Sequence, residues 1–299
     1  MIVPVNEDRT VYVLVLGQSL MGNHNVIGEL HSEEYFNDIF EMNTDGEWDK
    51  AYTPISYSES RLGYNKRLTT GKVSIEGSVF PFLSRRIIDS NKSRVDKVKV
   101  VNISRGGAWI RQWIKNAHED VYNARDDDFF DYDRYIGISG LNRYKQLFER
   151  VLFVKKILNE TKFAPNGFDF IIYHQGESDA HDDIPSDIYE PMLRKFLNDI
   201  YMIFKTKIHL CQTSYVYGEK KTYITDIQKK IADDTSYILH GVNTDLYDST
   251  HRHDNLHFNQ KGIDRFVKEM YSVLNGYRAY GIPFVKCGIP YKKITCGKR

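Results

Sequence analysis

Three short apolar runs constrain this chain most. Val11 to Leu16 carries valine at alternate positions and stops at Gly17, and Val98 to Ile103 and Phe168 to Tyr173 are two further, largely apolar runs. Runs this short and this largely apolar read as strands buried on both faces, as in a parallel sheet. Lys207 to Thr213 and Tyr237 to Val242 are weaker candidates of the same kind. Between them the period changes. Leu141 to Leu158 has apolar residues at helical spacing, and Ile188 to Phe204 lines up Met192, Leu193, Phe196, Leu197 and Ile200 on one face. Lys261 to Leu274 is a third such segment, led by Asn259 as a good N-cap. Strands alternating with helices predict crossover units, hence an α/β fold whose parallel sheet is covered on both sides. In such sheets a ligand binds beyond the carboxyl ends of the strands, so the residues that follow each strand matter most.

Composition narrows the function classes. Lys plus Arg (41) and Asp plus Glu (40) nearly cancel over 299 residues, which points away from nucleic acid or an anionic membrane as the main partner. No apolar run approaches the ~20 residues that span a bilayer. The start, Met-Ile-Val-Pro-Val-Asn-Glu-Asp, lacks the basic and then apolar pattern of a secretory signal. The expectation is therefore a cytoplasmic protein, or one released without an ordinary leader. Aromatic residues make up 13% of the chain, with 21 Tyr, and exposed Tyr and Trp suit the faces of sugars. Of the three cysteines, Cys211 lies in an apolar run and reads as a buried thiol, while Cys287 and Cys296 could pair in an oxidising compartment.

Two stretches fall outside the strand–helix skeleton. Residues 22–76 are polar, Tyr-rich and Gly-punctuated, and they read as an insertion beside the end of the first strand, where recognition loops are commonly added. Residues 119–134 are acidic, with Asp126, Asp127, Asp128, Asp131 and Asp133, but lack the EF-hand spacing and read as a solvated loop rather than a calcium site.

Four motifs carry chemistry. Gly17-Gln18-Ser19-Leu20-Met21 follows the first strand and could present Ser19 on a sharp turn. Asp254-Asn255-Leu256-His257 precedes the last helix and could supply a base with its orienting carboxylate. His251 and His253 compete with His257 for that role, and together with Asp254 they also permit a metal cluster, which no cysteine or Glu-x-x-His partner supports. His174-Gln175-Gly176-Glu177-Ser178-Asp179 follows the third strand and offers a side-chain amide on a glycine turn, suited to an oxyanion or simply to capping a helix. Asn102-Ile103-Ser104-Arg105-Gly106-Gly107 ends the second strand with backbone N–H groups that a ligand could approach. Each motif alone also has an ordinary turn reading; together they converge on one end of one sheet.

In order, these motifs resemble the four blocks of the SGNH (GDSL-like) hydrolases, in the sialate and carbohydrate O-acetylesterase branch. That branch looks like Gly-Gln-Ser-Asn-Met, a glycine loop after strand two, His-Gln-Gly-Glu-Ser-Asp and Asp-Gly-x-His-Phe. The third block matches throughout; the first departs at Leu20 and the last at Asn255. The resemblance spans about residues 11–274, with the blocks as its specific part, and implies a three-layer α/β/α sandwich on a five-stranded parallel sheet. It implies one hydrolase domain over residues 1–299 carrying the 22–76 insertion and a basic extension, 275–299. Carried over residue by residue, it makes Ser19 the nucleophile, His257 the general base and acid, and Asp254 its orienter. The oxyanion hole would be the Ser19 N–H, the Gly107 N–H and the Gln175 side chain, with Gln18 and Glu177 in support. Gly107 is preferred to Gly106 because the branch's glycine lies five positions after the strand's asparagine, here Asn102. The implied reaction removes acetyl groups from a carbohydrate, sialic acid or an acetylated polysaccharide, through an acyl-enzyme, with no metal or organic cofactor. A lipase or thioesterase on the same scaffold, and an inactive glycan-binding module, are the competing readings. The oligomeric state is open.

Overall fold

The computed structural model describes residues 2, 8–22, 24–27, 33–43, 45–51, 75–115, 147–161, 164 and 167–279. In chain order the strands are β1 (Thr10–Gly17), β2 (Asn25–Ile27), β3 (Ile39–Met42), β4 (Trp48–Lys50), β5 (Ile75–Gly77), β6 (Lys97–Asn102), β7 (Phe170–His174), β8 (Ile208–Gln212) and β9 (Ile238–Asn243). The helices are α1 (Phe80–Ser90), α2 (Leu147–Thr161), α3 (Glu177–His181), α4 (Ser186–Phe204), α5 (Thr222–Asp234) and α6 (Gln260–Ala279).

The alternating valines of β1 explain the layering. Val11, Val13 and Val15 pack on one face with residues of α1 and α6, among them Phe80, Leu83, Phe266 and Met270. Tyr12, Leu14 and Leu16 pack on the other with Val151, Phe196 and Ile227 from α2, α4 and α5. Every residue of β1 is buried, because a strand with a helix layer on each side has no solvent face. The result is the expected three-layer α/β/α arrangement.

The sheet is wider than the five strands expected. Its order among the described residues is β4-β3-β6-β1-β7-β8-β9, with seven strands. The five expected strands form one contiguous parallel part of it, β6-β1-β7-β8-β9. The two extra strands come from the 22–76 segment: β3 pairs parallel with β6, and β4 folds back antiparallel on β3. They escape a reading by apolar runs because both are short: β3 is four residues interrupted by Glu41, and β4, the edge strand, carries Asp49 and Lys50. A second, two-stranded sheet pairs β2 with β5, so both ends of the segment are built into structure. The N-cap expected at Asn259 is present, its Oδ1 accepting from the Gly262 N–H at 3.2 Å.

Cys211 is a buried free thiol that burial pushes up to about 12. Cys287, Cys296, the acidic stretch 119–134, the first turns of the helix expected from Leu141 and nearly all of the basic extension lie outside the described residues. Among the described residues no helix is long and apolar enough to cross a membrane.

Candidate active site

β6, β1 and β7 are neighbours, and their carboxyl ends deliver Gly107, Ser19 and Gln175 to one end of the sheet. The three loops are stitched together. The Arg105 N–H donates to the Gly17 carbonyl at 3.0 Å, and the Gln18 N–H donates to the His174 carbonyl at 3.2 Å. Asn102 donates its side-chain amide to the Met21 carbonyl at 2.7 Å, clamping the turn that carries Ser19. The Ser178 N–H reaches the Gln18 Oε1 at 3.4 Å.

Gly17 shows why this turn needs its sequence. A Cβ there would sit 2.2 Å from the His174 carbonyl oxygen, and its φ is +153°. Only glycine lets β1 and β7 remain paired up to the residue where Ser19 begins its short 3-10 turn. Gly176 is held as closely, with the Thr213 carbonyl 2.4 Å from a would-be Cβ.

His257 comes from the segment before α6. Its Nδ1 lies 2.6 Å from Asp254 Oδ2, while Asp254 Oδ1 accepts from the backbone N–H of His257 at 2.6 Å and of Leu256 at 2.9 Å. The carboxylate thus orients both ring and backbone. A proton held on Nδ1 by Asp254 leaves Nε2 with its lone pair. Burial pushes the Asp254 carboxyl up, but the hydrogen bonds and charge of His257 outweigh it and hold the group well below the usual carboxylate range. Asn255 takes the left-handed conformation at φ +61°, which explains how the chain does without the glycine of the resembling motif: asparagine is among the residues that tolerate this region.

One side chain joins the serine turn to the histidine segment. Asn25, fully buried, donates to the Leu20 carbonyl at 2.9 Å and accepts from the Phe258 N–H at 3.1 Å. It therefore ties the neighbour of Ser19 to the neighbour of His257. Arg252 performs a similar task within the histidine segment: its buried guanidinium donates to the carbonyls of Thr244 (2.9 Å), Tyr247 (3.2 Å) and Leu256. Neither residue is legible from the sequence, because a single polar residue without a motif carries no signal until its partners are in place.

The histidines divide their tasks. His251 Nδ1 faces Asp248 Oδ1 at 2.8 Å, so this ring serves its own turn. His253 donates through Nε2 to the His24 carbonyl at 3.1 Å. The rings of His24 and His253 stack on His257 with centroids 5.3 and 5.8 Å away. Burial, then the neighbouring His257, lowers His24 to about 3, so its ring is neutral. His253, Asp254 and His257 offer ligand atoms within 4.8 Å of one another and could hold a metal ion, although both oxygens of Asp254 are already engaged by His257.

Behind the site lies a buried polar layer. Gln175 donates from Nε2 to the Ala108 carbonyl at 3.0 Å and to Asp179, and accepts at Oε1 from the Tyr173 hydroxyl at 3.1 Å. These bonds place the amide beside Gly107, but both N–H groups have partners in the free protein. Burial pushes Asp179 up to about 7. Glu177 is buried with no hydrogen bond to either carboxyl oxygen among the described residues, and burial pushes it up to about 8. Its nearest ring nitrogen is His174 Nδ1 at 3.4 Å, and burial lowers that histidine to about 3.

Comparisons with known proteins agree with this architecture. The family described as carbohydrate esterase, sialic acid-specific acetylesterase, matches residues 8–274. Among solved structures, a protein from Arabidopsis thaliana superposes with a TM-score of 0.59 at 16% identity, covering 90% of this chain and 98% of that one. NanS gives 0.55 at 14% identity, covering 93% and 100%. A carbohydrate acetylesterase from Xanthomonas citri gives 0.50 at 14% identity, covering 89% of this chain but only 56% of that longer one. At these identities the likeness is one of fold. No curated protein matches by sequence.

Proposed function

Because the chain belongs to the sialic acid-specific acetylesterase family of carbohydrate esterases, carboxylic-ester hydrolases acting on carbohydrate acetyl groups, we propose that it works through Ser19 and an acetyl-enzyme. Residues 8–274 are then one hydrolase domain, with β2 to β5 as its elaboration. The observation that carries this reading is the pairing of Asp254 with His257 Nδ1 at 2.6 Å, on a segment tied through Asn25 to the turn of Ser19.

The chemistry follows from that pairing. Nε2 of His257 takes the Ser19 proton as Oγ attacks the acetyl carbonyl, and Asp254 stabilises the imidazolium that forms. The carbonyl oxygen becomes an oxyanion facing the N–H groups of Ser19 and Gly107. Gln175 is the third donor, and it serves by exchanging one of its present bonds, to Ala108 or Asp179, as charge develops. His257 returns the proton to the departing sugar hydroxyl. Water, deprotonated by His257, then attacks the acetyl-enzyme and releases acetate. Gln18 holds the serine turn against the β7 loop, and Glu177 supports that loop from its buried place beside His174; neither touches the substrate. The substrate class is an O-acetylated sialic acid or polysaccharide.

Ser19→Ala tests the assignment. Acetate release from p-nitrophenyl acetate, 9-O-acetyl sialic acid and acetylated xylan should fall to background while the thermal melt is unchanged. A folded alanine variant that keeps more than a few per cent of the activity removes Ser19 as nucleophile. Activity confined to long-chain esters would instead select the lipase reading.

A further inference from the structure

We infer that Tyr217 is a stacking platform for a pyranose ring of the glycan substrate, at the rim of the same sheet end; this rests on the carbohydrate-esterase reading above. Tyr217 adopts a backbone conformation that is unusual for its type. Val216 and Glu219 exchange both backbone hydrogen bonds, at 3.0 and 2.9 Å, so Tyr217 and Gly218 are the two central residues of a tight turn. Their φ angles are +49° and +94°. Positive φ at both centres defines a type I′ turn, whose first centre favours Asn, Asp or Gly. A bulky aromatic there is an outlier, since its Cβ crowds the backbone.

Burial does not compensate. Tyr217 is 64% exposed, and its ring meets the His181 ring edge-on at 6.0 Å. An aromatic that is both strained and exposed has no packing reason to be there, and strain of this kind collects at functional positions. The turn is also held rigidly. Asp245 accepts from the Ser214 N–H, the Ser214 hydroxyl and the Tyr215 N–H at 2.7, 2.5 and 2.9 Å, and the Ser214 hydroxyl accepts from the Lys221 N–H at 2.9 Å. A ring presented on so fixed a base loses little freedom on binding.

Its location connects it to the chemistry. The turn leaves the carboxyl end of β8, the strand beside β7. His181, which it touches, ends the helix that begins two residues after Gln175. Tyr215, two residues before it, lies under the Arg252 guanidinium at 4.1 Å, on the segment that leads to His257. The turn that carries Tyr217 thus touches the helix after Gln175, and Tyr215 at its base touches the segment before His257. The apolar C–H face of a pyranose is the ligand chemistry that a rigid, solvent-facing phenol ring fits.

The test separates sugar binding from catalysis. Tyr217→Ala should raise KM for acetylated xylo-oligosaccharide or a 9-O-acetylated sialoside on the order of tenfold, a loss equivalent to one stacked ring face. The same variant should leave kcat/KM for p-nitrophenyl acetate unchanged, and Tyr217→Phe should retain the wild-type KM. Tyr217→Asn, the residue the turn prefers, should melt higher than wild type and still show the KM defect. Calorimetric titration of the deacetylated oligosaccharides into wild type and Tyr217→Ala gives a readout independent of any esterase activity. Weaker binding by the alanine variant supports the platform even if Ser19 proves not to be the nucleophile. An unchanged KM and affinity in Tyr217→Ala, or a wild type that binds none of these sugars, overturns it. A loss on p-nitrophenyl acetate as large as on the glycans would make the residue structural and also overturn it.

Discussion

Glu177→Gln should abolish a pH dependence of stability that the wild-type protein carries between about pH 5 and pH 7. Burial raises this carboxyl from 4.5 to about 8, and the nearby Arg252 charge offsets only part of that rise. In that interval the native protein holds the proton and the unfolded chain does not. More protons bound in the native state means that stability falls as pH rises. Glu177 thus contributes most below its unfolded pKa, and the contribution is lost toward the folded value near 8. Each pH unit in the window is worth about 1.4 kcal/mol, so the loss from pH 5 to 7 is about 2–3 kcal/mol. Glutamine copies the neutral acid in shape and does not titrate. Urea unfolding of both proteins at pH 5, 6 and 7 measures the effect as a difference of differences, in which every other titrating group cancels. The variant should gain about 2–3 kcal/mol on wild type across the interval. Parallel pH profiles would refute the reasoning: they would mean that Glu177 is ionised in the native protein, as an ion pair with a protonated His174 rather than beside a neutral one.

The catalytic assignments predict distinct kinetics. His257→Ala should lose at least about 10³-fold in kcat, and combining it with Ser19→Ala should add little, since triad members act as a unit. His251→Ala and His253→Ala should each retain most activity, because their rings serve Asp248 and the His24 carbonyl; steady-state rates on p-nitrophenyl acetate decide this. Gln175→Ala should lower kcat roughly 10²–10³-fold with KM nearly unchanged. If it lowers the melting point at near-normal kcat, the bonds from Gln175 to Ala108 and Asp179 are its whole purpose.

The sequence by itself determined the centre of the molecule. A strand buried between two helix layers must be apolar on both faces, so Val11 to Leu16 and its counterparts announce a parallel sheet without any knowledge of their partners. Chemistry at the ends of such strands is legible for the same reason: Gly17, Gln175 and Asp254 stand in short motifs whose local spacing already implies a turn, an amide or a paired carboxylate. The Asp254–His257 contact is local, three residues apart, and could be read directly. What only the tertiary structure decided are the parts that depend on distant partners. The short β3 and the polar edge strand β4 gain their hydrogen bonds from a sheet that exists only after the core has formed. Asn25 links Leu20 to Phe258 across 233 residues of chain from the latter. Arg252 finds its carbonyls only when that segment folds over it, and the Glu177 carboxyl is pushed up only because packing removes its water. A hydrogen bond or a desolvation at long range leaves no periodicity in the sequence, since it is set by where the chain comes together and not by how neighbouring residues alternate.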